Sequence, residues 1–217
     1  MDRCRDERAG FGHEKGIAYP EPVTHGATAR LFVAVDPPEE VCRRLAEWAR
    51  AAVREASASA REQAAPRVLD PELLHVTLCF LGSRPVGEIE PIGEQLAACG
   101  VPVGELSVGA PLWLPPRRPR ALAVEIHDEE EKLARLQADV VKALGDLLPD
   151  AQETTSSKRR FRAHITVARM SRGVAPRKRA LPPTPALSFV PTELILYRSW
   201  LSPDGASYEA LARHPVG

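Results

Sequence analysis

The sequence predicts an α+β fold made of two similar lobes, and three observations carry this prediction. The order strand, helix, strand occurs twice along the chain. The last strand of each set contains a histidine two residues before a threonine, in HVTL at 75–78 and in HITV at 164–167. The composition agrees, because 217 residues of which 44% are hydrophobic can bury one large core or two smaller ones.

The first set of elements begins after a polar segment. Residues 1–28 contain scattered glycines and charges, so we expect a flexible extension followed by a single bilobal domain over 29–217. RLFVAVD at 30–36 predicts a strand because it is short and rich in apolar residues. Asp36 and the two prolines after it predict the start of a helix that runs to about Glu55.

The remaining elements follow from periodicity and turn residues. The second set begins with a strand at 121–126 and a helix from Asp128 to Leu148, whose apolar residues recur at helical spacing. The acidic residues that open this helix suit the positive end of its dipole, which is a structural role. The other expected elements are a strand over 73–81, a helix over 85–99, a strand over 106–114, a turn at 115–120, a strand over 161–168, an exposed loop over 173–186, and a hairpin of 193–201 with 208–213.

Strand alternation predicts which side chains accompany the first histidine. Residues i and i+2 of a strand point to the same face, so His75 and Thr77 should share a face with Cys79. By the same rule Phe80 should lie on the opposite, apolar face. The strand is therefore expected to present an imidazole beside a hydroxyl on one side and to pack against a helix on the other.

The second histidine has a similar setting within a basic segment. Alternation groups Arg162, His164 and Thr166 on one face of the strand. The surrounding segment has no acidic residue and favours a phosphate-bearing ligand such as RNA, although a basic run is more often a solvated surface. Its cationic residues are Lys158, Arg159, Arg160, Arg162, Arg169, Arg172, Arg177, Lys178 and Arg179.

Two histidines and two hydroxyls suit the cleavage of a phosphodiester. Such a reaction removes a proton from the attacking oxygen and delivers one to the leaving oxygen, and imidazole titrates near neutral pH. Threonine hydroxyls can donate hydrogen bonds to phosphate oxygens as negative charge builds up. A single histidine in a strand is more often structural, so the catalytic interpretation depends on the recurrence of the motif in a matching context.

Other chemistries lack their signatures. A zinc site would need a third ligand, and beyond Cys79 none shares a face with either motif. There is no glycine-rich phosphate loop and no GxSxG sequence. The four cysteines are widely spaced without a CxxC pair, so we expect free thiols. Neither a metal nor a cofactor is expected.

Charge and hydropathy limit the class of protein further. Lys plus Arg equals Asp plus Glu at 29 each, so net charge indicates no partner. No apolar run approaches the ~20 residues of a membrane span, and the first residues are charged where a signal peptide would be apolar. The sequence therefore predicts a cytoplasmic protein that does not bind membranes, and we expect a monomer.

From about Arg30 to Pro215 the chain resembles a known family, the RNA 2′,3′-cyclic phosphodiesterases, also called 2′-5′ RNA ligases, of the two-histidine (2H) phosphoesterase superfamily. The segments that carry the resemblance are, in order, RLFVAVDPP, ELLHVTLCFLG, RRPRALAVEI, FRAHITVAR and LILYRSWLSPDGASYEALARHP. The resemblance implies mainly antiparallel sheets flanked by helices, with the two motifs facing each other across a central cleft. It also implies metal-independent hydrolysis of a terminal 2′,3′-cyclic phosphate to a 2′-phosphate, with 2′-5′ ligation as the reverse reaction.

The resemblance implies a role for each residue of the two motifs. By motif position, His75 corresponds to the general acid that protonates the leaving 3′ oxygen. His164 corresponds to the base that activates water. Thr77 and Thr166 correspond to the residues that hold the phosphate oxygens.

Further substrate-binding residues are less well determined by the sequence. The resemblance favours Arg169 as the arginine that assists at the phosphate. Strand alternation favours Arg162 and turns Arg169 away, unless a bulge or the strand end changes its direction. Phe32, Trp113 and Tyr197 are candidates for stacking on a base, but each is more often a core residue in such a position.

Two other functions stay open at this point. One is a non-catalytic module that binds RNA ends or nucleotides, and the other is a related 2H enzyme that acts on a small cyclic phosphate. The expected partner is RNA with a 2′,3′-cyclic phosphate end, or a cyclic nucleotide.

Overall fold

The structure is a computed structural model. It describes residues 26–57, 66–100, 102–148, 161–170, 180–202 and 205–216. The expected extension over 1–28 lies outside the described residues except for its last three, and so do most of the basic segment and part of the expected loop over 173–186.

Three α-helices and nine strands make up the described part of the chain. The helices are α1 (Glu39–Ser57), α2 (Ile89–Ala97) and α3 (Lys132–Leu147). The strands are β1 (Thr28–Val35), β2 (Arg67–Val68), β3 (Val76–Pro85), β4 (Leu106–Leu114), β5 (Ala121–His127), β6 (His164–Arg169), β7 (Ser188–Phe189), β8 (Glu193–Ser202) and β9 (Gly205–Pro215). Short 3₁₀ helices at Pro71–Leu73 and Val86–Glu88 flank β3.

The strands form a single antiparallel sheet, which confirms the predicted α+β class. Eight of them follow the order β7-β4-β5-β6-β3-β1-β8-β9, and β2 pairs with β6. The two lobes are therefore the halves of one sheet. β3 and β6 join them through the residue pair Val76 and Ile165. Each half contains one of the two motif strands at this junction.

The helices cover one face of the sheet. In β1, Leu31, Val33 and Val35 are fully or almost fully buried and belong to a large hydrophobic core that also contains apolar residues of all three helices. The alternate residues Phe32 and Ala34 belong to a separate small cluster with side chains of β8. Alternation along β1 thus separates a helix-covered face from a face that is left for a binding site.

Several element boundaries differ from the sequence prediction by a few residues, among them the starts of α2 at Ile89, β6 at His164 and β9 at Gly205, and two of the differences have clear local reasons. β3 begins at Val76, because the residues before it form a 3₁₀ turn with Pro71 in its first position. α3 begins at Lys132 instead of Asp128, because Glu131 adopts a left-handed conformation with φ of 55°. The Asp128 carboxylate accepts a hydrogen bond from the backbone N–H of Ala134 at 2.9 Å, so it caps the first turn of the helix.

No helix in the described ranges is both long enough and apolar enough to cross a membrane.

Candidate active site

The structure brings the four motif side chains together in one cavity. A cavity of about 590 Å³ opens on the uncovered face of the sheet, where β3 and β6 meet. His75, Thr77, His164 and Thr166 all line it. The predicted convergence of the two motifs is therefore present in the fold.

The register of β3 against β6 explains this convergence. Val76 pairs with Ile165, and both side chains are fully buried on the helix side of the sheet. Their neighbours in sequence therefore point to the opposite face, into the cavity. Counting outward from the pair places His75 opposite Thr166 and Thr77 opposite His164. The motifs thus form a square in which each histidine has a threonine as its cross-strand neighbour.

The two imidazole rings are held in the same way. Nδ1 of His75 lies 2.9 Å from the carbonyl oxygen of Leu73, and Nδ1 of His164 lies 2.8 Å from that of Arg162. A carbonyl oxygen can only accept, so Nδ1 carries the proton in both rings when they are neutral. Nε2 is then the nitrogen available for proton transfer in each ring.

Aromatic rings surround His75. The ring centroid of Phe32 lies 4.9 Å from that of His75, and Tyr208 meets the imidazole edge-on at 5.3 Å. Burial lowers the pKa of His75 to about 4, with smaller contributions from the positive charges of Arg169 and His164. His75 is therefore neutral at neutral pH.

A bulge in each motif strand redirects the residues that follow it. In β3, Cys79 pairs with Val33 and Thr77 with Ala34, so Leu78 is an extra residue. The alternation is therefore reversed beyond Leu78, and this overturns the prediction for Cys79 and Phe80. Cys79 is buried in the core, whereas Phe80 is 56% exposed and lines the cavity.

The same irregularity occurs in β6. Ala168 pairs with Leu122 and Thr166 with Ala123, so Val167 is the extra residue. The bulge turns Arg169 into the cavity, on the side of the sheet that carries His164. The position favoured by the family resemblance is thus compatible with the geometry.

Arg162 lies on the same face of the sheet as His164, as alternation predicts, but it does not line the cavity. Glu125 of β5 is the cross-strand partner of His164, and Arg162 precedes the first residue of β6. Its guanidinium pairs with the carboxylate of Glu125, and both residues line a separate cavity. The structure therefore separates Arg162 from the motif side chains and keeps Arg169 with them.

The aromatic candidates fall into two groups. Phe32 lines the cavity although it is only 4% exposed. Tyr197 stacks on Phe32 at 5.1 Å and donates a hydrogen bond from its hydroxyl to Asp36 at 2.6 Å, but it does not line the cavity. Trp113 is part of the hydrophobic core. Of these three candidates, only Phe32 is placed to touch a ligand.

Sequence reasoning missed several residues of the cavity. Which of these residues face the cavity depends on the pairing and bulges of the strands, so single-strand alternation does not reveal them. These residues are Arg30, Phe80, Arg120, Ser199 and Tyr208.

The cavity has a cationic lining. Arg30, Arg120 and Arg169 line it, and no aspartate or glutamate among the described residues does. None of the three guanidinium groups forms an ion pair with a described residue. Other arginines in the described ranges do pair with carboxylates, among them Arg43, Arg84, Arg162 and Arg213. The unpaired positive charge of the cavity suits an anionic ligand.

Comparison with known proteins identifies relatives of the whole chain. No protein-family model matches the sequence. A curated protein named RNA 2′,3′-cyclic phosphodiesterase, from Thermus thermophilus, is 32% identical over 189 residues, which cover 85% of this chain and 88% of the relative. The similarity therefore includes both halves of the sheet.

Solved structures show the same fold. The protein TT0787 of Thermus thermophilus matches with a TM-score of 0.70 and 30% sequence identity, over 86% of this chain and 97% of that one. E. coli LigT, crystallised with 3′-AMP, matches with a TM-score of 0.66 and 23% identity, over 88% and 99% of the two chains. These matches extend over nearly the full length of both proteins.

Proposed function

The chain belongs to the RNA 2′,3′-cyclic phosphodiesterase family of 2H phosphoesterases, and on that premise we propose that it hydrolyses the terminal 2′,3′-cyclic phosphate of RNA to a 2′-phosphomonoester. The observation that carries the proposal is the square formed by His75, Thr77, His164 and Thr166 in one cationic cavity. Binding of a nucleotide alone would not require two imidazoles with Nε2 available, whereas hydrolysis of a phosphodiester uses both.

The proposed reaction moves one proton at each histidine. Nε2 of His164 accepts a proton from water as the water oxygen attacks phosphorus. The bond between phosphorus and the 3′ oxygen breaks, and Nε2 of His75 donates a proton to that oxygen. The products are a 2′-phosphate and a 3′-hydroxyl. With a 5′-hydroxyl in place of water, the same groups in the same roles would give a 2′-5′ linkage, and they exchange roles when that linkage is cleaved back to the cyclic phosphate.

His75 must carry a proton to act as the acid. Burial lowers its pKa to about 4, so it is neutral at neutral pH before a ligand contributes its charge. A bound phosphodiester brings a negative charge next to the imidazole, and a nearby opposite charge raises the pKa of a histidine. His75 then takes up its proton as the substrate binds.

In the proposed mechanism, three groups hold the phosphate. The hydroxyls of Thr77 and Thr166 line the cavity between the two imidazoles and can donate hydrogen bonds to the non-bridging oxygens. Arg169 follows Thr166 on the same strand, and the Val167 bulge directs it into the cavity. These donors are in position before the reaction begins, so they stabilise the developing charge without reorganisation.

The ligand set of the cavity supports a reaction that needs no metal ion. Zinc sites take at least three protein ligands from histidine, cysteine and carboxylates. The described residues that line the cavity include His75 and His164 but no cysteine, aspartate or glutamate. The two imidazoles are therefore available for proton transfer.

The proposal is tested with an oligoribonucleotide that ends in a 2′,3′-cyclic phosphate, in the presence of EDTA. The expected product is a 2′-phosphate, identified by ³¹P NMR, at a rate that EDTA does not change. A 3′-phosphate product, or loss of activity with EDTA, would contradict the mechanism. Tight binding of the oligonucleotide without turnover would instead favour a binding module, and turnover of free cyclic nucleotides alone would favour a small-molecule enzyme.

We further propose that the protein acts as a monomer in the cytoplasm. All four motif side chains come from a single chain, so the site is complete without a second copy. Cys42, Cys79 and Cys99 are buried free thiols, which suits a reducing compartment. Sedimentation of the purified protein at catalytic concentrations tests whether it is a monomer. Localisation of a tagged chain tests whether it is cytoplasmic.

A further inference from the structure

Three polar side chains form a row across the first half of the sheet, and the ring of one of them, Tyr208, meets that of His75 edge-on. Ser199 of β8 pairs with Arg30 of β1 on one side and with Tyr208 of β9 on the other. Residues paired across antiparallel strands point to the same face. All three side chains line the cavity, so a guanidinium and two hydroxyls face it together.

Arg30 of this row lies on the same strand as Phe32, whose ring packs against that of His75. Phe32, whose ring is 4.9 Å from that of His75, precedes the row along the cavity. Arg30 is two residues from Phe32 on the same strand and the same face, which corresponds to about 7 Å of strand. This spacing along the strand is similar to that of neighbouring phosphates along an RNA strand, and Phe32 pairs with Phe80 of β3, which also lines the cavity.

Arg30 is free to bind a ligand. It is exposed, and its guanidinium has no carboxylate partner among the described residues. Its contact with Ser199 is through the backbone, because the carbonyl oxygen of Arg30 accepts a hydrogen bond from the Ser199 hydroxyl at 3.4 Å. A phosphate can therefore bind to the guanidinium without breaking an ion pair, and a planar guanidinium matches the geometry of phosphate oxygens.

We propose that Arg30, Ser199 and Tyr208 bind the phosphate on the 5′ side of the terminal nucleotide, so that the enzyme selects substrates carrying this second phosphate. The inference rests on the proposed function and specifies its substrate class. An RNA end, or a nucleoside 5′-phosphate with a 2′,3′-cyclic phosphate, fills both phosphate positions. A nucleoside 2′,3′-cyclic phosphate fills only the position at the histidines.

The test compares two substrates that differ only in the second phosphate. They are adenosine 2′,3′-cyclic phosphate and its 5′-phosphorylated form, and the measured quantity is the ratio of their kcat/KM values. A charge-assisted interaction with Arg30 is expected to give the wild type a ratio of about tenfold or more in favour of the 5′-phosphorylated substrate. Arg30→Gln is expected to bring the ratio close to one, and Arg30→Lys, which keeps the charge, to an intermediate value.

Arg198→Gln is the matched control. Arg198 is the β8 residue next to Ser199, and its guanidinium stacks on Trp200 at 4.7 Å, outside the cavity. The control makes the same change in net charge on the opposite face of the sheet, so it should keep the wild-type ratio. A wild-type ratio near one, or a ratio that Arg30→Gln leaves unchanged, would overturn the proposal.

A binding measurement separates this inference from the proposed function. Calorimetry compares the affinities of adenosine 2′-phosphate and adenosine 2′,5′-bisphosphate, neither of which requires turnover. Tighter binding of the bisphosphate that is lost in Arg30→Gln supports the second phosphate site even if the protein hydrolyses neither substrate. Equal affinities in the wild type overturn it even if hydrolysis proceeds.

Discussion

Phe80 and Arg169 occupy equivalent positions in the two halves of the sheet. Each lies five residues after the histidine of its motif and two residues after a one-residue bulge, at Leu78 in β3 and at Val167 in β6. Both bulges turn the following side chain into the cavity. The same backbone geometry thus places an aromatic ring from one half of the sheet and a guanidinium from the other half in the cavity. This asymmetry gives the cavity two chemically different ends.

The position of Arg169 predicts a specific effect on catalysis. Arg169→Gln should lower kcat/KM for a cyclic-phosphate-ended oligonucleotide by about 10²-fold, because it removes a preformed donor to the phosphate. Arg162→Gln is the matched control, since Arg162 pairs with Glu125 outside the cavity. The kcat/KM of the Arg162→Gln variant should stay close to that of the wild type. A larger loss in the Arg162 variant than in the Arg169 variant would contradict the placement of the two arginines.

These arginines also show how far the sequence predicts the site. Hydrophobic periodicity and alternation predict the motif strands, the helices and the shared face of His75 and Thr77, because these depend on local geometry. The bulges at Leu78 and Val167 depend on the pairing with β1 and β5, which a single strand does not reveal. Alternation therefore fails for the residues beyond a bulge, and this is why it places Phe80 on the wrong face.

The way in which the two lobes join also cannot be predicted from patterns within single strands. The repeated strand order predicts two similar units, and the structure pairs their motif strands edge to edge through Val76 and Ile165. The row of Arg30, Ser199 and Tyr208 comes from three strands, the first of which is distant in sequence from the other two. The pairing of these strands in the folded protein brings the three side chains together, and local sequence patterns do not reveal that pairing.

The threonines are expected to act on the rate more than on folding. Thr77→Val and Thr166→Val keep the branched shape but remove the donor to the phosphate, so each should lower kcat by about 10²-fold. Thr184→Val is a control, because the Thr184 hydroxyl bonds to the carbonyl oxygen of Gly109 away from the cavity. Steady-state kinetics of the three variants measure the difference. Equal losses in all three would indicate a general structural effect.

The protonation of His75 is expected to follow the charge in the cavity. Burial lowers its pKa to about 4 in the free protein, so its ring should titrate well below the usual midpoint in an NMR experiment on the imidazole protons. Binding of adenosine 2′-phosphate should move the midpoint upward, because the anion stabilises the protonated ring. Arg169→Gln should also move it upward by removing a nearby positive charge. A midpoint near 6.5 in the free protein would refute the buried, neutral state.

The hydrogen bond between Tyr197 and Asp36 is expected to stabilise the fold behind the site. Burial raises the pKa of Asp36, and its other carboxylate oxygen, Oδ1, is buried without a hydrogen-bond partner among the described residues. Tyr197→Phe would leave Oδ2 without its partner as well, so the free energy of unfolding should fall by about 1–3 kcal/mol. Urea unfolding at neutral pH measures this loss. Tyr208→Phe serves as the control and should change stability by less than ~0.5 kcal/mol.

The most direct test of the central claim is the rate of hydrolysis of a cyclic-phosphate-ended oligonucleotide by the histidine variants. His75→Ala and His164→Ala each remove one proton-transfer group, so each should lower kcat by at least ~10³-fold, and the double variant should be hardly slower than either. His127→Ala, at an exposed histidine outside the cavity, should keep wild-type activity. Activity within about tenfold of the wild type in either single variant at His75 or His164 would contradict the assignment of these two histidines as the proton-transfer groups.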